Sequence, residues 1–301
     1  MRRFLIACCF LLAAAAPVSA QEKARVVATF SILGDLTQRI GGDKIDLVTL
    51  VGPDQDAHGF DPTAEDQRAV AVAALVIANG LGFETWLERL TEAAEFKGRL
   101  VIASAGIEPL PWDEHEEDGH DHDNAHEGGD PHAFQDAHLV PTYIDNIAAG
   151  LAAVQPGDAA LFTANAAALK AEFTALDADL KATLGALPVG QRRILTSHDA
   201  FGYFSRAYGI DFVALQGVST DSEPSAQDLK RVVEEITSGG IRAVFLENMS
   251  DPRFVETLAE DTGVRVGGAL YADALSGPDG PAPDLLSLFR HNQGELLKAL
   301  Q

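Results

Sequence analysis

Five histidines crowd the stretch EHEEDGHDHDNAHEGGDPHAF, Glu114 to Phe134, among carboxylates, glycines and an asparagine. Imidazole beside carboxylate is donor chemistry for a divalent metal. The same residue types recur singly elsewhere: His58 in DAHGFDP, His198 in TSHDAF and Asp273 in YADAL. The 301-residue chain has two cysteines, Cys8 and Cys9. Both fall inside an N-terminal export segment: Arg2 and Arg3, an apolar run Phe4 to Pro17, then the small-residue cleavage site Val18-Ser19-Ala20. The segment is too short for a membrane anchor. Leu5-Ile6-Ala7-Cys8 faintly resembles a lipoprotein box but stands too close to the N-terminus to have an apolar segment before it. The mature chain, expected from Gln21, then lacks thiols and disulfides. Any metal must be held by imidazole, carboxylate, amide or water, which suits zinc when histidines dominate and manganese when oxygens do.

The elements that position these residues follow a β-α rhythm. Arg25–Phe30, Ile45–Val51, Leu75–Ala78 and Arg99–Ala103 read as strands, separated by helices at Leu33–Ile40, Thr63–Ala73 and Phe83–Ala94. The rhythm returns with strands at Arg193–Ser197, Phe212–Leu215, Ala243–Glu247 and Val264–Leu270. The helices there are Ala200–Tyr208, Ala226–Thr237, Pro252–Asp261 and Pro283–Leu300. This predicts an α/β fold of two similar lobes, each a parallel four-stranded sheet flanked by helices. Between them Asp158–Leu184 carries Leu161, Leu169, Leu176 and Leu180 at helical spacing, with Asp158 placed to cap it. About 27 helical residues would run roughly 40 Å. The division expected is 1–20 export segment, 21–156 first lobe, 157–186 rigid linking helix and 187–301 second lobe. Small relative motion of the lobes is expected from such a connector. The acidic histidine loop, 113–130, precedes a helix starting near Ala137, and its length and composition suggest disorder without metal.

In open α/β sheets ligands bind beyond the carboxyl ends of strands. His58 follows the second strand, His132 ends the loop after the fourth, His198 follows the first strand of the second lobe, and Asp273 follows its last. Each alone is more often a surface or hydrogen-bonding residue than a ligand; their shared position at edges facing one cleft links them. Asp56, Asp61 and Glu247 are candidates to accept the free imidazole N–H groups. His138 and His291 read as structural or surface residues.

The motifs AHGFDPT (57–63), DPHAFQD (130–136), TSHDAFGYF (196–204), GVSTDSEPSA (217–226) and YADALSGPDGPA (271–282) resemble those of solute-binding proteins of metal-uptake ABC transporters, the ZnuA-like and AztC-like group. The resemblance spans nearly all of the mature chain. It implies two α/β lobes joined by a long helix, with metal in the cleft. It carries ligand roles to His58, His132 and His198, and aligns Asp273 with an acidic ligand position. Histidine at 198, where manganese-suited members carry a carboxylate, favours zinc. His115, His120, His122 and His126 then form an accessory loop. Flexible histidines lose conformational entropy on chelating and bind more weakly than a preformed cleft. They are expected to capture zinc and pass it inward, or to receive it from a periplasmic metallochaperone. The sequence departs from the family pattern after the DPH motif: Phe134, Gln135 and Asp136 stand where Trp and Leu-Asp-Pro are usual, which bears on local loop geometry.

The function implied is a periplasmic zinc-binding protein, a monomer, delivering Zn2+ to an inner-membrane ABC permease with its cytoplasmic ATPase. The formal charge of −23 makes nucleic acid a poor partner and raises local cation concentration. Alternatives are a manganese or iron binder of the same fold, a zinc buffer or adhesin without a transporter, and a zinc hydrolase. The last would need an open coordination position and a general base; Glu223 and Glu247 stand near the cleft, but no HExxH motif is present. Because ligating histidine must be neutral, binding is expected to weaken below about pH 6.5.

Overall fold

The computed structural model describes residues 22–111, 129–220, 225–250 and 252–301. Residues 1–20, expected from the sequence to be an export segment, and His115, His120, His122, His126 and Glu223 lie outside them. The first lobe contains β1 (Ala24–Phe30), α1 (Ser31–Gly41), β2 (Ile45–Val51), α2 (Ala64–Ala71), β3 (Leu75–Ala78), α3 (Leu87–Ala93) and β4 (Arg99–Ile102). Its strands are all parallel, in the order β2-β1-β3-β4. β3 is buried along its whole length, which explains its unbroken apolar reading.

Then come α4 (Val140–Val154) and α5 (Ala159–Leu184). The second lobe contains β5 (Arg193–Thr196), α6 (Gly202–Tyr208), β6 (Asp211–Ala214), α7 (Ala226–Thr237), β7 (Val244–Glu247), α8 (Arg253–Thr262), β8 (Val266–Leu270) and α9 (Leu285–Leu300). Its parallel sheet has the corresponding order, β6-β5-β7-β8. The two-lobed fold class expected from the sequence is the one observed.

The 26 residues of α5 span about 39 Å at 1.5 Å per residue. Phe162, Ala166, Leu169, Phe173, Leu176, Leu180 and Leu184 form its buried stripe. It packs on α1 and α4 of the first lobe and on α6 and α9 of the second. Two details differ from expectation. Leu161 is exposed, one position off the stripe that Phe162 occupies. Asp158 makes no capping bond; its Oδ2 accepts from Gln155 Nε2 at 2.8 Å instead.

α4 begins at Val140 rather than near Ala137, because a short 3-10 turn, Ala133–Gln135, intervenes. Gly129 and Asp130, read from sequence as the end of the acidic loop, belong to the fold. Gly129 has φ +77°, and a Cβ there would meet the Leu110 carbonyl at 2.4 Å, so only glycine permits the approach. That approach makes the antiparallel bridge between Leu110 and Asp130.

One continuous apolar core runs from the first sheet through α4, α5 and α9 to one face of the second sheet, at Ile194, Ala243 and Phe245. A separate, smaller core covers that sheet's opposite face, where Leu195, Val213 and Val244 pack under α7 and α8. Polar bonds also join the lobes. Leu275 N donates to Ser31 Oγ at 3.0 Å, Asp54 N to Leu275 O at 2.8 Å, and Leu285 N to Asp35 Oδ2 at 3.0 Å.

Candidate metal centre

Each of four side chains reaches the cleft on a loop after a strand. His58 follows β2. Asp56 Oδ1 accepts from the His58 backbone N at 2.9 Å, and Trp86 Nε1 donates to Ala57 O at 2.8 Å. The buried Phe83 ring meets the His58 ring at a centroid distance of 4.5 Å. His132 comes from the segment after β4. Asn79, just past β3, donates through Nδ2 to Pro131 O at 2.9 Å, and Tyr143 OH donates to Asn79 Oδ1 at 2.9 Å.

His198 follows β5, with Thr196 Oγ1 donating to its carbonyl at 3.2 Å. Asp273 follows β8. The side chain of Asn292 on α9 brackets Tyr271, accepting from its N at 2.9 Å and donating to its O at 2.8 Å.

The structure brings His58, His132, His198 and Asp273 together, all buried, with one ligand-type atom from each within 4.8 Å of the others. The Nε2 atoms of His58 and His132 face each other at 3.2 Å. Asp273 Oδ2 lies 3.4 Å from His58 Nε2 and 2.9 Å from His198 Nε2, and Oδ1 lies 3.5 Å from His132 Nε2. A tetrahedral ion with bonds of about 2.0–2.1 Å has donor-to-donor edges of roughly 3.3–3.4 Å, so these separations fit one small divalent ion. Asp273 Oδ1 is buried without a hydrogen-bond partner among the described residues, which suits a group needing a cation.

Two rings are oriented from behind. Asp130 Oδ1 lies 2.9 Å from His132 Nδ1, and Glu247 Oε2 pairs with His198 Nδ1. Carboxylates at Nδ1 favour the tautomer whose Nε2 lone pair points inward. Glu247, named from the sequence, has this position. Asp61 is exposed, and Asp56 serves the His58 backbone instead; its Oδ2 accepts from Thr220 Oγ1 at 2.6 Å, linking the lobes.

Burial opposes charge on His132, but Asp273 and Asp130 outweigh it and raise the group to about 9. His198, also opposed by burial, is raised well above its usual value by Glu247 and Asp273. Burial would raise Asp273, yet the facing His132 and His198 hold it well below the carboxylate range. His58 is lowered, chiefly by burial, against the pull of Asp273.

Sequence reasoning missed three contributors. Asp130 reads from the sequence as the end of the loop, although the Asp-Pro-His spacing carries a signal for it. Asn79 and Gln135 act through contacts with residues distant in sequence, which no local pattern marks. At the departure from the family pattern, Phe134 packs against Phe30 and Phe83, Gln135 Nε2 donates to Ala272 O at 2.5 Å, and Asp136 Oδ1 accepts from His138 N at 2.9 Å. His138 is exposed, and His291 Nε2 meets Ala269 O at 2.8 Å.

Known proteins share this architecture. The chain is 32% identical to the iron-binding protein YfeA of Yersinia pestis, over 90% of this chain and 85% of that one. It is 30% identical to the manganese-binding lipoprotein MntA of Halalkalibacterium halodurans, over 93% of this chain and 89% of that one. Among solved structures, the periplasmic zinc-binding protein TroA of Treponema pallidum superposes with a TM-score of 0.83 at 29% identity, covering 93% of this chain and 99% of that one. The model of the family described as ZnuA, "Zinc-uptake complex component A periplasmic", matches residues 26–299. The chain therefore belongs to the ZnuA family, as a metal-binding substrate-binding component of an ABC transporter and not an enzyme.

Proposed function

We propose that the protein captures Zn2+ in the interlobe cleft, through His58, His132, His198 and Asp273, and delivers it to an ABC permease for zinc uptake. The observation that carries the choice of zinc is the donor set: three imidazole nitrogens converge with one carboxylate within 4.8 Å. Three nitrogens to one carboxylate favour zinc over the oxygen-preferring manganese. Four protein donors around one ion leave no position for substrate or activated water, which suits carriage rather than catalysis.

In this reading the chain is exported after cleavage of residues 1–20 and works as a monomer in the periplasm. The first lobe (21–156) and second lobe (187–301) each supply two donors across the linking helix (157–186). His115, His120, His122 and His126 in the 113–130 loop collect zinc for the cleft, either directly or from a periplasmic metallochaperone. Relatives named for iron and manganese make metal competition the deciding experiment. The mature protein is dialysed against equimolar zinc, manganese and ferrous iron, and the bound metal is counted. One tight zinc equivalent that survives deletion of Glu114–Glu127 and is lost in His132→Ala supports the reading. Preferential retention of manganese or iron would refute the zinc assignment.

A further inference from the structure

Gln135 is fully buried and is not one of the four donors. It is nevertheless tied to two of them. Its backbone N donates to the His132 carbonyl at 2.9 Å, closing the 3-10 turn that follows that histidine. Its side-chain Nε2 reaches across the cleft to the carbonyl of Ala272, at 2.5 Å, in the peptide that leads directly into Asp273. One residue is thus anchored on both sides of the 3.5 Å gap between His132 Nε2 and Asp273 Oδ1.

The amide works in one direction. Turned over, its oxygen would face the Ala272 oxygen, so only the N–H2 end can make this contact. The other end, Oε1, is buried and has no hydrogen-bond partner among the described residues. An unpaired buried oxygen is a cost that an apolar side chain of similar size would avoid. Stability alone therefore gives little reason for glutamine here. A hydrogen bond that fixes the Asp273 peptide relative to the His132 turn gives one. We propose that Gln135 is a positioning residue for the metal centre: by holding the Ala272 carbonyl it sets the His132–Asp273 separation. This rests on the cleft being the zinc site.

The role separates affinity from stability. Gln135→Met keeps the volume, removes the unpaired Oε1 and leaves the Ala272 carbonyl unpaired, two changes that offset. Melting of the metal-free protein should shift little. Zinc affinity, read by competition with a chromophoric chelator, should fall about tenfold, as for other groups that orient ligands from outside the coordination sphere. The visible spectrum of the Co2+-loaded protein should change, because it reports ligand geometry. Zinc affinity and Co2+ spectrum both equal to wild type, in Gln135→Met while His132→Ala loses the tight equivalent, would overturn the positioning role and leave the zinc site standing. Retention of tight binding in His132→Ala would overturn both. Should Gln135→Met not accumulate as folded protein, Gln135→Asn, one methylene too short to reach Ala272, is read by the same criteria.

Discussion

Asp130 holds His132 twice with one oxygen: Oδ1 accepts from the His132 backbone N and meets ring Nδ1, each at 2.9 Å. Backbone and ring are fixed by the same group, two residues upstream. Asp130 itself is delivered by the Gly129–Leu110 approach, and its carbonyl accepts from Tyr203 OH at 3.1 Å, a contact from the second lobe. Asp130→Asn keeps the shape but weakens the pull on Nδ1–H. Zinc affinity measured by competition should fall about 10- to 100-fold, the range for such outer partners. An unchanged affinity would show that the ring needs no support from behind.

Proton release should accompany binding. Without metal, His132 titrates near 9 and His198 above its ordinary range, whereas His58 is held low. On the proposed ligand set, the two imidazoles raised in this way give up their protons to the ion, about two per ion. Calorimetry in buffers of different ionisation enthalpy would count them. This places the weakening of affinity higher in pH than the value near 6.5 expected for unperturbed histidine.

The metal-free fold responds to pH in the opposite sense. A histidine raised in the fold stabilises the metal-free protein fully below its unfolded value near 6.5, and that contribution is lost as pH rises through about 9. The melting gap between zinc-loaded and metal-free protein should widen over that window. A constant gap would contradict the charged state assigned to His132.

Asp56 joins the lobes beside the site, accepting from His58 N with one oxygen and from Thr220 Oγ1 with the other. Asp56→Ala frees the His58 loop and removes one tie across the cleft. Zinc dissociation into excess chelator should speed up by about tenfold, a cost near 1.4 kcal/mol on the bound state relative to the release barrier. Identical rates would mean the cleft opens elsewhere.

Asp35 sits on α1 against the start of α9, accepting from Leu285 N at 3.0 Å. Burial raises it to about 6, despite help from that bond and from Arg39, with Asp284 and Glu172 adding to the rise. Its ionised form thus disfavours the fold above about pH 6, and the penalty fades as pH falls towards the unfolded value near 3.8. Asp35→Asn should stabilise the protein by about 2 kcal/mol at pH 8 and by almost nothing at pH 4. Denaturant melts at the two pH values would reveal a destabilised variant at pH 8 if the carboxylate is instead a favourable link.

Much of the frame was legible because its signals are local. Buried parallel strands such as Leu75–Ala78 read as apolar runs, and α5 as a long stripe of three- and four-residue spacing. Strand ends gave the loops of His58, His198 and Asp273, and the sheet rule of ligands beyond carboxyl ends gave them a common cleft. The stripe's register differs by one position, with Phe162 buried in place of Leu161, since alanine-rich helices offer several near-equivalent faces. The supports were less legible. Asn79 and Gln135 matter through partners 52 and 137 residues away, and nothing in their own neighbourhoods announces it.

The division of the apolar core has a kinetic consequence. The larger core reaches the residues beside all four donors, at Ala57, Ala133, Ala200 and Ala272, whereas α7 and α8 rest on the small patch under Leu195, Val213 and Val244. A layer with its own small core is a natural unit of sub-global opening. Its opening would loosen β7, and with it Glu247 behind His198, while the loops that carry the four side chains stayed on the larger core. Amide exchange in α7 and α8 should accordingly run ahead of that in α4 and α5, and zinc loading should slow it. The molecule would then loosen its grip by slackening one support behind one donor, with the long helix and everything packed on it standing still.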